Sequence, residues 1–157
     1  MIVVTDTSPL CYLILIGCVD VLPKLFGRVC IPQAVRVELT STDAPTAIQS
    51  WMAQLPRWLE THPVSPSGEA GLINLHAGER EAIILAETLK ADIIVLDEKV
   101  ARRIAANRGL RVTGTLGLLD EAAARSLIDL TTTVERLRLT NFRASPRLLQ
   151  ALLERHS

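Results

Sequence analysis

Five short apolar runs, each bounded by polar or turn residues, predict the strands of a buried sheet. They occupy residues 2–5, 28–31, 58–64, 92–96 and 110–114. The first and fourth runs are almost uniformly apolar, which is typical of parallel strands covered by helices on both faces. The pattern therefore predicts a layered α/β fold rather than an exposed antiparallel sheet.

Helical patterns fill the intervals between these runs, and the strongest is the amphipathic segment AGEREAIILAETLK at residues 77–90. Pro146 suits a first helical turn with Ser145 as its cap, and Thr7 or Ser8 is expected to cap the first helix. The other helices are predicted at residues 10–17, 19–27, 32–40, 44–54, 99–109, 115–128, 132–140 and 145–156. Alternating strands and helices predict a parallel sheet with right-handed crossovers.

The length of 157 residues, 48% of them hydrophobic, predicts one domain over residues 1–157 with a sizeable core. Residues 62–71 are the one flexible-looking stretch, and we expect them to edge a site rather than to link domains. The helices at about 131–157 are rich in leucine. They are expected to pack on the domain or on a partner, such as a second copy in a homodimer.

Composition excludes several classes of protein. Aromatic residues make up only 3%, which argues against a stacking platform for single-stranded nucleic acid. Cys11, Cys18 and Cys30 lie in apolar surroundings without a CxxC pair, and the histidines are scattered. We therefore expect reduced core cysteines in a cytoplasmic protein and no spacing typical of a zinc site. The longest apolar run, residues 9–17, is too short to cross a bilayer, so no membrane association is expected.

The net charge of zero hides an asymmetry along the chain. Residues 1–98 carry six basic and twelve acidic side chains, whereas residues 99–157 carry eleven basic and five acidic ones. This distribution is compatible with an ordinary solvated surface. It is equally compatible with an acidic pocket beside a basic surface that holds a polyanion.

Two aspartates follow the two most apolar strands. Asp6 and Asp97 stand at the carboxyl ends of the first and fourth runs, the edge at which open parallel sheets bind ligands. If these strands are neighbours, the two side chains converge.

Two glutamates lie on helices that can lean over the same edge. Glu38 lies about two turns into its helix. Glu79 shares the buried stripe of its helix, whereas Glu81 lies off that stripe and is expected to be solvated. Each acid also has a structural explanation: Asp6 and Asp97 as helix caps, Glu38 on an exposed face, and Glu79 as a favourable acid in a first helical turn.

Carboxylates gathered in this way repel one another unless they are protonated or a divalent cation neutralises them. Oxygen-only ligands suit Mg²⁺ or Mn²⁺, which can activate water and polarise a phosphoryl oxygen. Ser8, or else Thr7, would orient water or phosphate. Arg102 and Arg103 are either solvated and paired or hold phosphate beside the site.

The segments VVTDTSPL, IPQAVRVEL, GEREAIILA, IIVLDEKVARRIA and VTGTLGLLDEA resemble, in this order, the motifs of the PIN-domain family. The similarity spans nearly the whole chain and is greatest to small stand-alone prokaryotic members related to the VapC-type toxin ribonucleases. It implies a three-layer α/β/α sandwich with sheet order 3-2-1-4-5. It also implies Mg²⁺- or Mn²⁺-dependent endonucleolytic cleavage of RNA that leaves 5′-phosphate and 3′-hydroxyl ends.

The resemblance also assigns roles to residues. Catalytic metal ligands are implied at the four family acids, here Asp6, Glu38, Glu79 and Asp97. Glu98 is implied as an assisting acid, and Ser8 matches the small hydroxyl residue after the first acid. The third acid is often aspartate in the toxins, whereas this chain has glutamate. Contacts to RNA are expected from the basic residues after the fourth strand, Lys99, Arg102 and Arg103.

The resulting hypothesis is a metal-dependent endoribonuclease, the toxin of a toxin–antitoxin pair, with RNA as substrate and an antitoxin protein as partner. The alternative is a catalytically weak or inactive PIN-like module that binds nucleic acid or regulates. A phosphatase with Asp6 as nucleophile is disfavoured, because Ser8 stands where that chemistry needs a second acid.

Overall fold

The computed structural model describes residues 1–65 and 71–157. Its sheet consists of β1 (Ile2–Thr5), β2 (Arg28–Pro32), β3 (Leu59–His62), β4 (Ile93–Val95) and β5 (Val112–Thr113). The strands are parallel and ordered β3-β2-β1-β4-β5, which confirms the expected fold. The first strand therefore lies at the centre of the sheet, with the fourth directly beside it.

The helices largely follow the predicted segments. They are α1 (Thr7–Leu15), α2 (Val21–Leu25), α3 (Gln33–Leu39), α4 (Thr46–Met52), α5 (Ala77–Leu89), α6 (Lys99–Asn107), α7 (Thr115–Ala124), α8 (Leu130–Arg138) and α9 (Pro146–Glu154). Ser145 caps α9 as expected, since its side chain accepts a hydrogen bond from the Leu148 N–H. The expected cap of α1 was wrong by one or two residues, because Asp6 occupies that position. The predicted flexible stretch, 62–71, includes residues 66–70, which lie outside the described residues.

Alternate residues of the strands pack into two separate cores, because successive side chains of a strand point to opposite faces. Val3 and Val29 pack with α1, α4 and α7 on one face. Val4, Cys30 and Ile94 pack with α5 and α6 on the other. The sheet is therefore the middle layer of three, and its strand ends remain free to carry a site.

The two last helices add to the first of these cores. Val134, Leu137, Leu149 and Leu152 are all buried there, so much of the leucine-rich pattern serves packing within the chain. Leu139 stays 88% exposed. Partner binding by these helices stays a prediction. No helix within residues 1–65 or 71–157 is long and apolar enough to cross a membrane.

Candidate functional site

Strand pairing brings the first and last predicted acids to one edge of the sheet. Thr5 of β1 pairs with Val95 of β4, and the Asp6 N–H donates to the Val95 carbonyl at 3.1 Å. Asp97 follows two residues after Val95. The two aspartates therefore leave neighbouring strands at the same edge, which fulfils the condition set by the apolar runs and agrees with the strand order that the resemblance implied.

Two glutamates join Asp6 around one cavity of about 220 Å³. Its lining consists of Asp6, Thr7, Ser8, Glu38, His76 and Glu79. Asp6 and Glu79 are buried, whereas Glu38 lies on the exposed side. We call Asp6, Glu38 and Glu79 the acidic site. Asp97 does not line this cavity.

Gly78 allows the acidic site to form. A Cβ atom at this position would lie 2.8 Å from Glu38 Oε1 and 3.0 Å from Asp6 Oδ1. Both carboxylates therefore point at the same spot beside the backbone of α5, and their oxygens are no farther apart than the sum of these distances. Any larger residue would displace them. The sequence offers a weak signal for this in the glycine that precedes Glu79 in the first turn of a helix.

Hydrogen bonds fix the acidic side chains and the helices that carry them. Thr7 Oγ1 donates to Glu38 Oε2 at 2.5 Å, and the His76 N–H donates to Glu79 Oε1 at 3.2 Å. Glu81 Oε1 accepts from the Ala34 N–H at 3.1 Å, so it ties the start of α3 to α5. Glu81 is therefore half-buried and hydrogen-bonded rather than fully solvated as expected, because its partner belongs to a helix far away in the sequence.

Burial and like charges make ionisation of the acidic site unfavourable. Burial raises the pKa of Asp6 from 3.8 to about 7, the Thr7 backbone opposes this, and the charges of Glu79, Glu38 and Asp97 raise it further. Burial also raises the pKa of Glu79, with Glu98 and Glu38 adding to the effect and His76 opposing it. Among the described residues, no lysine or arginine forms an ion pair with Asp6, Glu38 or Glu79.

Asp97 and Glu98 have local partners. Asp97 Oδ1 accepts from the Thr115 N–H at 2.8 Å, and its Oδ2 accepts from Thr115 Oγ1 at 2.6 Å. Asp97 therefore holds the start of α7. The sequence allowed Asp97 to cap α6. The cap is instead Glu98, whose carboxylate accepts from the Ala101 N–H at 2.8 Å. At the start of α1, Asp6 makes no side-chain capping bond, unlike these two acids.

The three basic residues predicted to contact RNA differ in their availability. Arg102 Nη1 donates to the Leu96 carbonyl at 2.8 Å, directly before Asp97. Lys99 and Arg103 are exposed on α6. One guanidinium nitrogen of the half-buried Arg102 thus bonds the end of β4, whereas Lys99 and Arg103 are exposed.

The donor chemistry of the acidic site fits a hard divalent cation. All its charged donors are carboxylate oxygens, Asp6 is buried without a capping or ion-pair partner, and Gly78 leaves space in front of two carboxylates. Mg²⁺ and Mn²⁺ prefer such oxygen ligands. Asp6, Glu38 and Glu79 thus offer carboxylate oxygens of this kind around one cavity.

Comparisons with known proteins agree with this architecture. A family model described as a PIN domain matches residues 2–157. A solved structure, a PilT N-terminus domain protein from the hyperthermophilic archaeon Sulfolobus solfataricus, is similar with a TM-score of 0.53 and 18% identity over 78% of this chain and 93% of that chain. At that identity the similarity shows the fold alone. A search of curated proteins finds no significant match. The chain belongs to the PIN-domain family, whose fold is typically that of a nuclease and whose members generally use divalent metals.

Proposed function

We propose that this PIN domain is a divalent-metal-dependent endoribonuclease that hydrolyses RNA phosphodiester bonds. The proposal depends chiefly on one observation. Three carboxylates from β1–α1, α3 and α5 border one cavity, and none of them pairs with a lysine or arginine of the described residues. Such mutual repulsion favours binding of a cation over any purely structural role.

In this proposal Asp6, Glu38 and Glu79 hold Mg²⁺ or Mn²⁺. Asp97 is the fourth acid, and it adds negative charge beside Asp6 while it anchors α7. A divalent ion bound there would activate water and polarise the scissile phosphodiester for in-line attack.

Neighbouring residues position the substrate. Thr7 orients the Glu38 carboxylate, and the exposed Ser8 hydroxyl hydrogen-bonds a phosphate oxygen or the attacking water. Lys99 and Arg103 contact the RNA backbone by charge. Arg102 stabilises the end of β4 through the Leu96 carbonyl and supports this surface.

The test is cleavage of a labelled RNA by protein freed of metal with EDTA and then given Mn²⁺ or Mg²⁺. We expect metal-dependent fragments with 5′-phosphate ends. Asp6→Asn is expected to lower the rate by at least about 100-fold, because it removes a charged ligand from the metal. Asp20→Asn is the matched control, since Asp20 is an exposed aspartate at a helix N-cap and makes no side-chain capping bond.

Equal cleavage by Asp6→Asn and the wild type would refute the catalytic assignment. A protein that binds RNA in a salt-sensitive way, takes up no Mn²⁺ and cuts nothing would support the binding or regulatory module instead.

We further propose that the nuclease is the cytoplasmic toxin of a toxin–antitoxin pair. We also propose that it forms a homodimer through its two last helices, α8 and α9. The exposed Leu139 and Leu148 at these helices support a partner surface. Induced expression in a bacterial host is expected to arrest growth for the wild type and not for Asp6→Asn. Continued growth with the active enzyme would contradict the toxin role, and a monomer in light scattering would contradict the dimer.

A further inference from the structure

A second group of metal-binding side chains lies on β2 and β3, away from the acidic site. Cys30, Glu60 and His62 each offer one donor atom, and these atoms all lie within 4.8 Å of one another. We call these three residues the edge cluster, because β3 is an edge strand of the sheet. The spacing of the histidines and cysteines along the sequence gave no sign of it.

The pairing of β2 with β3 assembles the edge cluster. Cys30 is directly opposite Glu60, and Pro32 is opposite His62. Residues two apart on a strand face the same side, so Glu60 and His62 both point to the side of Cys30. The backbone thus brings together three donors from two strands before any ion binds.

Burial differs across the edge cluster in a way that suits an ion held at the rim of the core. Cys30 is fully buried among apolar side chains. The side chains of Glu60 and His62 are 37% and 26% exposed. The Cys30 sulfur therefore lies at the buried side of the cluster. Glu60 and His62 lie at its solvent-exposed side, from which an ion can enter.

Arg28 holds the Glu60 carboxylate in place. Its Nε donates to Glu60 Oε2 at 3.1 Å and its Nη2 to Oε1 at 2.9 Å, while His62 Nε2 lies 3.1 Å from Oε1. A carboxylate has about four lone-pair sites, so these bonds leave acceptor capacity for an ion. Ligating carboxylates in metal sites are commonly oriented by such an outer hydrogen-bonding partner.

We propose that the edge cluster binds Zn²⁺ through the Cys30 thiolate, a His62 ring nitrogen and a Glu60 carboxylate oxygen, with water as the fourth ligand. Sulfur, nitrogen and oxygen donors together are typical of zinc and unlike the oxygen sets that Mg²⁺ prefers. On binding, the Cys30 thiol proton passes to solvent, and bonds to the ion replace the hydrogen bond between His62 and Glu60.

Zinc binding would require the donor atoms to approach one another by roughly 1 Å. Zinc bonds of about 2.0–2.3 Å place tetrahedral donors about 3.5 Å apart, and the donors of the edge cluster are already within 4.8 Å. The bound ion would cross-link β2 to β3 and stabilise the edge of the sheet. This site is separate from the proposed nuclease centre, and its test does not depend on RNA cleavage.

The test uses the full chain, freed of metal with EDTA, and two probes. Zn²⁺ affinity is measured by competition with a chromophoric chelator, and Co²⁺ is added to look for thiolate-to-metal charge-transfer absorption. We expect one such Co²⁺ site. Cys30→Ala should remove the absorption, and His62→Gln should weaken Zn²⁺ binding at least about 100-fold, since loss of an outer partner alone costs about 10- to 100-fold.

Three control variants match these changes. Cys18→Ala removes another buried cysteine. His156→Gln removes a histidine that also pairs with a carboxylate, that of Asp120 at 2.7 Å. Cys11→Ala is the most informative control, because Cys11 is close enough to Glu38 and Asp6 for their charges to act on it. If Cys11→Ala removed the Co²⁺ charge-transfer absorption, the ion would lie at the acidic site. All three should leave the edge-cluster signals unchanged.

Circular dichroism checks that each variant is folded. If Cys30→Ala fails to fold, His62→Gln decides, because His62 is partly exposed on an edge strand and leaves the core intact. A folded wild type without the thiolate band, or His62→Gln with wild-type Zn²⁺ affinity, would overturn the proposal. In that case Cys30 is a core residue only, and Glu60 serves as the ion-pair partner of Arg28 and the hydrogen-bond partner of His62.

Discussion

Asp6 in the acidic site and Glu60 in the edge cluster are carboxyl groups of one sheet with opposite electrostatic environments. Burial and three nearby acids raise the pKa of Asp6 from 3.8 to about 7. The hydrogen bond from Arg28 lowers the pKa of Glu60 from 4.5 to about 2, helped by His62 and opposed by burial. Burial and the neighbouring charges together thus decide whether an acid stabilises the fold.

This difference bears on function. Ionisation of the acidic site costs stability because of burial and like charges, which is typical of sites tuned for chemistry. Glu60 already has a cation in Arg28, so the edge cluster is compatible with the folded chain without metal. The two regions also differ in donor type, with oxygen alone in one and sulfur, nitrogen and oxygen in the other.

The largest effect is expected from Asp6→Asn, measured as the free energy of unfolding in EDTA at pH 8. Because the pKa of Asp6 is raised in the folded state, the native protein binds more protons than the unfolded chain between about pH 4 and 7. Stability therefore falls as the pH rises through that window. The neutral amide should stabilise the protein by up to about 4 kcal/mol at pH 8 and by little at pH 4. If Asp6→Asn were less stable than the wild type at pH 8, the Asp6 carboxylate would have a stabilising partner, as Glu60 has in Arg28.

The next effect is expected from Gly78→Ala, which perturbs the acidic site without removing an acid. The added methyl group would push against Glu38 Oε1 and Asp6 Oδ1. Mn²⁺-dependent cleavage should fall by about 10- to 100-fold, comparable to the loss of an outer partner in a metal site.

Gly27→Ala is the control for Gly78→Ala, because a methyl group there would meet its nearest atom at an ordinary 3.5 Å. Unchanged Mn²⁺-dependent cleavage by Gly78→Ala would show that activity does not depend on the convergence of Asp6 and Glu38.

Asp97→Asn tests whether Asp97 differs from Asp6, the other aspartate at the same edge of the sheet. Thr115 donates two hydrogen bonds to Asp97, and an amide can accept only one of them well. We expect a loss of about 1–2 kcal/mol in unfolding free energy, opposite in sign to Asp6→Asn. Asp129→Asn is the control, because asparagine is itself a good N-cap and should change stability by less than about 0.5 kcal/mol. A gain in stability for Asp97→Asn would show that the Asp97 carboxylate, like that of Asp6, destabilises the fold.

The smallest effect is expected from Glu60→Gln in metal-free protein. Its ion pair with Arg28 is more than one-third exposed, so the expected loss is about 1 kcal/mol or less. Because the pKa of Glu60 is lowered in the folded state, this stabilisation is present above about pH 4.5 and is lost as the pH falls towards 2. Acid unfolding followed by circular dichroism tests this, with Glu135→Gln in another exposed ion pair as the control. No difference between Glu60→Gln and the wild type at neutral pH would show that Arg28 and His62 add nothing to the stability of the sheet edge.

The apolar runs and the acids that follow them were enough to predict a parallel sheet between helices and strand ends that carry Asp6 and Asp97, whereas the strand order came from the family resemblance. A strand of a covered parallel sheet must be apolar throughout, so its end is marked where Asp6 or Asp97 begins. The buried position of Glu79 likewise followed from helical spacing. These are local regularities, and a single chain displays them directly.

Contacts between segments distant in the sequence were decided only by the tertiary structure. Thr115 bonded to Asp97, Glu81 bonded to the start of α3, and Cys30 opposite Glu60 all depend on how elements pack or pair. Side-chain hydrogen bonds act over about 3 Å, and the register that brings two such groups together depends on the packing of the whole chain. Periodicity thus shows which face or end of an element a residue occupies. The partner of that residue is decided only when the chain has folded, and the partner determines whether the residue's charge stabilises or destabilises the protein.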